Sequence, residues 1–137
     1  MFKKLAILLI AFFSEASMQK DFVFLTDIAP NIIENSRYFS EENFVGRKID
    51  GYNSSRIICT KQAADALKKV SILLEKKGYK LVVYDGYRPS RASKYFVKWA
   101  KNLQDITNKA YYYPHLNKQD LFKLGYIAEN STHSRGS

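Results

Sequence analysis

Apolar and polar positions alternate in blocks of different period along the 137 residues. The clearest block runs from Thr60 to Lys77. Ala63, Ala66, Leu67, Val70, Leu73 and Leu74 recur at helical spacing and predict one apolar helix face. Thr60 suits the N-cap, Lys76 and Lys77 suit the C-terminal end of the helix dipole, and Gly78 suits the left-handed position that follows it. A second helix is expected after Pro89, with Ala92, Tyr95, Phe96, Trp99, Ala100 and Leu103 on one face. A third, short helix is read from Lys118 to Leu124, closed by Gly125.

Between these blocks the pattern is extended. Asp21–Ile28 is aromatic and β-branched and reads as a strand, ended by Pro30. Ile32–Tyr38 reads as another extended piece, and Tyr79–Tyr84 (YKLVVY) as a buried strand broken by Asp85-Gly86. Glu41–Asn53, with Gly46 and Gly51, reads as a loop turning at Asp50-Gly51. Tyr111-Tyr112-Tyr113-Pro114 reads as an aromatic loop. Strands, helix, strand, helix and loops in this order indicate an α+β fold in which two main amphipathic helices lie against a small mixed or antiparallel sheet.

The first sixteen residues follow another logic. Lys3 and Lys4 precede an unbroken apolar run from Leu5 to Phe13, and Ser14 and Ala16 are small residues two apart. That is the pattern of a secretory signal peptide, too short to span a bilayer as a stable anchor. Export, with a periplasmic destination, is the expectation, and residues 17–137 form a single domain. An exported chain meets an oxidising compartment, yet Cys59 has no partner in the sequence. Its neighbours Ile57 and Ile58 fit a buried free thiol rather than a nucleophile.

Composition narrows the classes further. Apolar residues make up 46% of the chain, too many for a disordered segment, and one Cys excludes both a disulfide framework and a multi-thiolate metal site. The net charge of +9 is spread along helix faces with no nucleic-acid-binding motif, so it reads as a solvated surface.

Two segments carry candidate chemistry. The first is Tyr84-Asp85-Gly86-Tyr87-Arg88-Pro89, where a strand end enters a helix. Asp85 and Arg88 project near that edge, and an Arg there can donate two hydrogen bonds to a carboxylate or a developing oxyanion. Taken alone, the pair reads equally as a local ion pair around a turn. The second segment is Ser131-Thr132-His133-Ser134-Arg135-Gly136-Ser137. A lone His133 is weak evidence for a metal, because zinc sites need three or four protein ligands.

Taken together, Asp85-Gly-Tyr-Arg-Pro89 and Ser131-x-His133-x-x-Gly136, with the earlier Asn43-Phe44-Val45-Gly46 and Gly51-Tyr52, resemble the zinc D-alanyl-D-alanine dipeptidases. The resemblance runs from about Phe22 to the last residue. It implies the DD-peptidase, hedgehog-like zinc peptidase fold, with His133 as a zinc ligand and Arg88 as the group that stabilises the tetrahedral intermediate and positions substrate. It also implies that Asp85 and Ser131 lie in the substrate site. The family's single zinc ion activates a water that attacks the peptide carbonyl of the D-Ala-D-Ala dipeptide, releasing D-alanine in cell-wall metabolism.

The family motif continues beyond Gly136 to an Asp ligand, then to a Glu base and a second His ligand in Glu-x-x-His. None of these occurs before Ser137, where the sequence stops, and His115 in the aromatic loop matches no ligand motif. The resemblance therefore implies an N-terminal part of the catalytic domain, an incomplete fold, and an inactive, truncated family member from a decayed gene. Two alternatives stay open: half of a split enzyme complemented by a C-terminal fragment, and a non-catalytic envelope module that holds cell-wall peptides through Arg88.

Overall fold

A computed structural model describes residues 21–136. The expected signal segment, 1–16, lies outside them. The fold is α+β, with two main helices and two small ladders rather than one sheet. Strand β1 (Phe22–Phe24) pairs antiparallel with β3 (Ile58–Thr60), placing Val23 opposite Cys59. Strand β2 (Ile33–Glu34) pairs in parallel with β4 (Val82–Val83), placing Ile33 opposite Val82.

Helix α2 (Lys61–Glu75) begins where the pattern predicts, with the Thr60 hydroxyl accepting from the Ala63 amide at 3.2 Å. Its end also agrees, since Gly78 takes a φ of 80°. Its buried face does not. Ala64 and Ser71 are buried and Ala63, Leu67 and Leu74 partly so, whereas Ala66, Val70 and Leu73 face outward. Small residues set this rotation, because Ala63, Ala64 and Ser71 let the helix lie close against β1 and α1 (Leu25–Ile28). Ser71 is satisfied there, donating to the Lys68 carbonyl at 2.8 Å and the Asn31 side chain at 3.2 Å.

The expected strand over Asp21–Ile28 is divided. Three residues form β1, and Leu25–Ile28 then turn helical, which puts Leu25 fully inside. Ile32–Tyr38 yields only the two residues of β2 before a 3₁₀ turn at Arg37–Phe39. The buried strand expected at Tyr79–Tyr84 is likewise two residues long and half exposed, with Tyr79, Val82 and Tyr84 open to solvent. Among the described residues its ladder has one partner only, the β2 segment, which bonds to the carbonyls of Leu81, Val83 and Tyr84, so the run pairs along one edge while Val82 and Tyr84 stay open to solvent. The aromatic stretch contributes to a short helix, α4 (Lys109–Tyr112), and the third expected helix is a single 3₁₀ turn at Lys118–Asp120 followed by turns to Gly125.

Helix α3 (Ser90–Lys101) follows Pro89 as expected and buries Ala92, Phe96, Trp99 and Ala100, with Ser93 in the same stripe. These side chains form one core with Val45, Ile49 and Tyr52, all from the Glu41–Asn53 loop. That loop is therefore an inside element despite its lack of regular structure. Asn43 makes this possible. Its buried Nδ2 donates to the carbonyls of Arg37 (3.1 Å), Ser40 (2.8 Å) and Arg47 (2.8 Å), and its Oδ1 accepts from the amides of Val45 (2.9 Å) and Gly46 (3.1 Å). One side chain thus meets five backbone groups, its two N–H bonds shared among three carbonyls, and adds to the bonds that the Gly46 amide makes to the Asn43 carbonyl and that the Arg37 carbonyl accepts from the Ser40 hydroxyl. The loop is also tied to the far end of α3 by Arg47, whose Nη2 lies 2.6 Å from Asp105. A buried lysine, Lys118, closes the same end: its ammonium donates to the carbonyls of Asn102 and Asp105 and sits 3.8 Å from the centre of the Trp99 ring. Burial pushes its pKa down.

A second core gathers Leu25, Ala29, Ile32, Ile57, Cys59 and Ala64 between the ladders and α2. Cys59 is buried and unpaired, as the sequence implies. Residues 85–89 run along the seam between the two cores. Two glycines fix that seam. A Cβ on Gly86 would lie 2.4 Å from the Ile58 carbonyl oxygen, and the next amide, of Tyr87, donates to the same oxygen at 2.6 Å. Gly136, at φ 72°, packs against the Phe22 ring with no room for a Cβ, while its carbonyl accepts from the Thr60 amide at 2.8 Å.

Gly86→Ala should therefore destabilise the fold by about 2–3 kcal/mol, because the obstruction is backbone that cannot step aside. Chemical unfolding checks this; a change below about 0.5 kcal/mol would show that the seam relaxes freely.

Candidate active site

The seam brings together the two segments that the sequence singles out, although 45 residues separate Arg88 from His133 in the chain. The Arg88 amide donates to the His133 carbonyl at 2.9 Å, and the His133 ring Nδ1 lies 3.0 Å from the Gly86 carbonyl oxygen. A carbonyl only accepts, so the ring donates from Nδ1. The neutral imidazole then keeps its lone pair on Nε2, the arrangement of a metal-ligating His oriented by a backbone carbonyl. The side chain is 45% exposed, so Nε2 is reachable.

Asp85 stands at the centre. Its Oδ1 accepts from the Tyr52 hydroxyl (2.9 Å) and the Gly86 amide (3.0 Å). Its Oδ2 accepts from Arg88 Nη2 (2.8 Å) and Nε (3.2 Å), with His133 Nδ1 at 3.7 Å. Asp85 and Arg88 are only 10% and 17% exposed, so this is a largely desolvated pair rather than a surface bridge. The local ion pair expected from the sequence is present, and Arg88 also lines a cavity.

Arg88 also lies against aromatic faces, with its guanidinium carbon 5.2 Å from the Tyr38 ring centre and 5.1 Å from that of Phe96. Burial opposes its charge, but the attraction of Tyr38 and Asp85 outweighs that and holds its pKa above the ordinary value. Tyr52 stays a hydrogen-bond donor throughout the usual pH range, because burial and the adjacent Asp85 charge push its pKa strongly up.

Ser131 sits beside this group. Its hydroxyl oxygen accepts from the His133 amide at 3.2 Å and starts the 3₁₀ turn Thr132–Arg135, which carries His133 back to Gly86. Arg88 and Ser131 line one cavity of about 170 Å³. All four sequence-derived candidates, Asp85, Arg88, Ser131 and His133, therefore converge. His115 is exposed, and no three His, Cys, Asp or Glu side chains meet among the described residues. These residues thus offer a zinc ion one ligand, which does not make a zinc site.

Tyr52, which donates to Asp85, carries no signal in the sequence beyond its place in the Gly51-Tyr52 pair. Ser93, a hydroxyl within the apolar stripe of α3, lines the same cavity as Arg88 and Ser131.

Comparison with known proteins agrees with this geometry. A family model described as D-ala-D-ala dipeptidase matches residues 18–137. The D-alanyl-D-alanine dipeptidase of Enterococcus faecium is 38% identical over 120 residues, covering 88% of this chain. Those of Enterococcus faecalis and Streptomyces coelicolor are 39% and 37% identical over the same length. The chain spans 59% of the length of each of these relatives. With the matched region enclosing all four converging residues, the chain belongs to the D-alanyl-D-alanine dipeptidase family.

Proposed function

We propose that this chain carries the substrate-holding part of a zinc D-Ala-D-Ala dipeptidase site. The observation that supports the reading is the docking of His133 onto Gly86 and Arg88, which leaves the imidazole Nε2 without a protein partner among the described residues, close to the Asp85–Arg88 pair. Arg88 donates to the peptide end or to the oxygen that gains charge when the carbonyl is attacked. Asp85 and Tyr52 hold Arg88 in position, and Ser131 provides a hydroxyl at the cavity wall.

A zinc ion in such a site supplies Lewis-acid polarisation and an activated water. Among the described residues His133 would give it one coordinating nitrogen, and Asp85 is engaged by protein donors and does not serve as a base. The chain by itself accordingly holds the dipeptide without hydrolysing it. Zinc-supplemented chain should release no D-alanine from D-Ala-D-Ala above the protein-free rate. Sustained turnover would overturn that division of roles.

Holding is measured separately. Titration calorimetry with D-Ala-D-Ala should detect binding, and Arg88→Ala should weaken it by at least tenfold, the scale of a lost charge-assisted pair. Equal affinity of the two proteins would remove Arg88 from the site.

The same reading places the protein outside the cytoplasm, where cell-wall peptides are met. It rests on the Lys3-Lys4 and Leu5–Phe13 pattern. Deleting residues 2–16 should retain the chain in the cytoplasmic fraction; unchanged fractionation would refute export by that segment.

A further inference from the structure

Ser93 is 9% exposed, and its hydroxyl has no hydrogen-bond partner among the described residues. A serine inside a helix ordinarily bonds back to the carbonyl four residues earlier. Here that carbonyl, of Pro89, already accepts the amides of Ala92 (2.9 Å) and Ser93 (3.3 Å). A buried hydroxyl without a partner costs about 1–3 kcal/mol unless something else meets it.

Two cavities border Ser93. The larger, about 520 Å³, also contains Glu129 among its basic and hydroxyl neighbours, so its charge does not favour one ligand sign. The smaller is the cavity of about 170 Å³ shared with Arg88 and Ser131. No Asp or Glu lines it, and its hydrogen-bonding side chains are rich in donors. Arg88 gives two of its five N–H groups to Asp85 and keeps the rest. Ser131 is engaged only as an acceptor, from the His133 amide, so its own proton is uncommitted. Phe44 and Phe96 line the same cavity with apolar surface. Donors and aromatic rings lining one small cavity match a carboxylate attached to a carbon bearing a methyl group.

We propose that the Ser93 hydroxyl is a third donor, with Arg88 and Ser131, in a subsite that takes the C-terminal carboxylate of a short peptide. This rests on the substrate-holding reading above and extends it to a residue outside both motifs. Ser93 would thereby favour a free C-terminus over a blocked one.

The test compares the purified chain and Ser93→Ala by calorimetry, with D-Ala-D-Ala and with its C-terminal amide, and records thermal unfolding of both proteins. Removing an unpartnered hydroxyl should leave the unfolding temperature at or above that of wild type. Affinity for the dipeptide should fall about tenfold, and affinity for the amide by less than about twofold. Equal dipeptide affinity of the two proteins, with Arg88→Ala still impaired, would overturn the role of Ser93 and leave the site reading standing. An equal loss for both ligands, or a marked drop in unfolding temperature, would assign the hydroxyl to structure and overturn the proposal. Absence of dipeptide binding by wild type would reject the site reading itself, and the subsite with it.

Discussion

The Asp85 carboxylate is the interaction on which the site depends. It collects a tyrosine hydroxyl, a backbone amide and two guanidinium N–H groups, and it lies close to the imidazole that completes the group. In a largely desolvated position an unpaired guanidinium is costly, so Arg88 and Asp85 require each other. The pairing also removes rotational freedom from a long side chain. Arg88 reaches the cavity with its orientation already set, and little conformational entropy remains to be lost when a ligand arrives.

The carboxylate does this only because the backbone around it is fixed. Gly86 lets the chain approach β3 so closely that the Tyr87 amide and Ile58 carbonyl bond at 2.6 Å. That approach presents the Gly86 carbonyl to His133, and Gly136 closes the circuit by packing on Phe22 and bonding to Thr60. The glycines of the two motifs are thus not permissive spacers. They are the points where two distant segments are pressed against one ladder, and the site lies where the two cores meet. Functional groups anchored in this way are held by packing on both sides rather than by a loop's own stiffness.

Much of this was legible in the chain. Both main helices, the two ends of the first and the start of the second, the buried thiol and the four converging residues follow from periodicity, caps and the resemblance to a family, whereas Leu103, expected on the face of α3, lies beyond its end at Lys101 and is exposed. What could not be read had a common cause. Periodicity reports which residues are apolar, not which of them find a partner. In α2 it marks Val70 and Leu73, but close approach favours the side with Ala64 and Ser71. In Tyr79–Tyr84 it marks a buried strand, but among the described residues the run pairs along one edge only, and Val82 and Tyr84 stay open to solvent. Conversely, the Glu41–Asn53 stretch carries turn residues and reads as a loop, yet Asn43 bonds to its backbone and lets it enter the core. Hydrogen bonds of that kind connect positions whose types alone do not announce them, and the same holds for Tyr52 and Asp85.

The charge of the protein takes on a different meaning beside this geometry. A net charge of +9 invites the view that anionic ligands are drawn by bulk electrostatics. At the site, however, Arg88 is matched by Asp85 at 2.8 Å, so the pair adds almost no net field. What remains for a ligand is direction: uncommitted N–H and O–H groups lining a small cavity together with phenyl rings. Contacts of that type are short-ranged and sheltered from solvent, and salt screens them far less than it screens scattered surface lysines. In the proposed subsite, recognition of a peptide end is carried by where a few donors point. That in turn depends on a carboxylate, two glycines and the backbone they hold together.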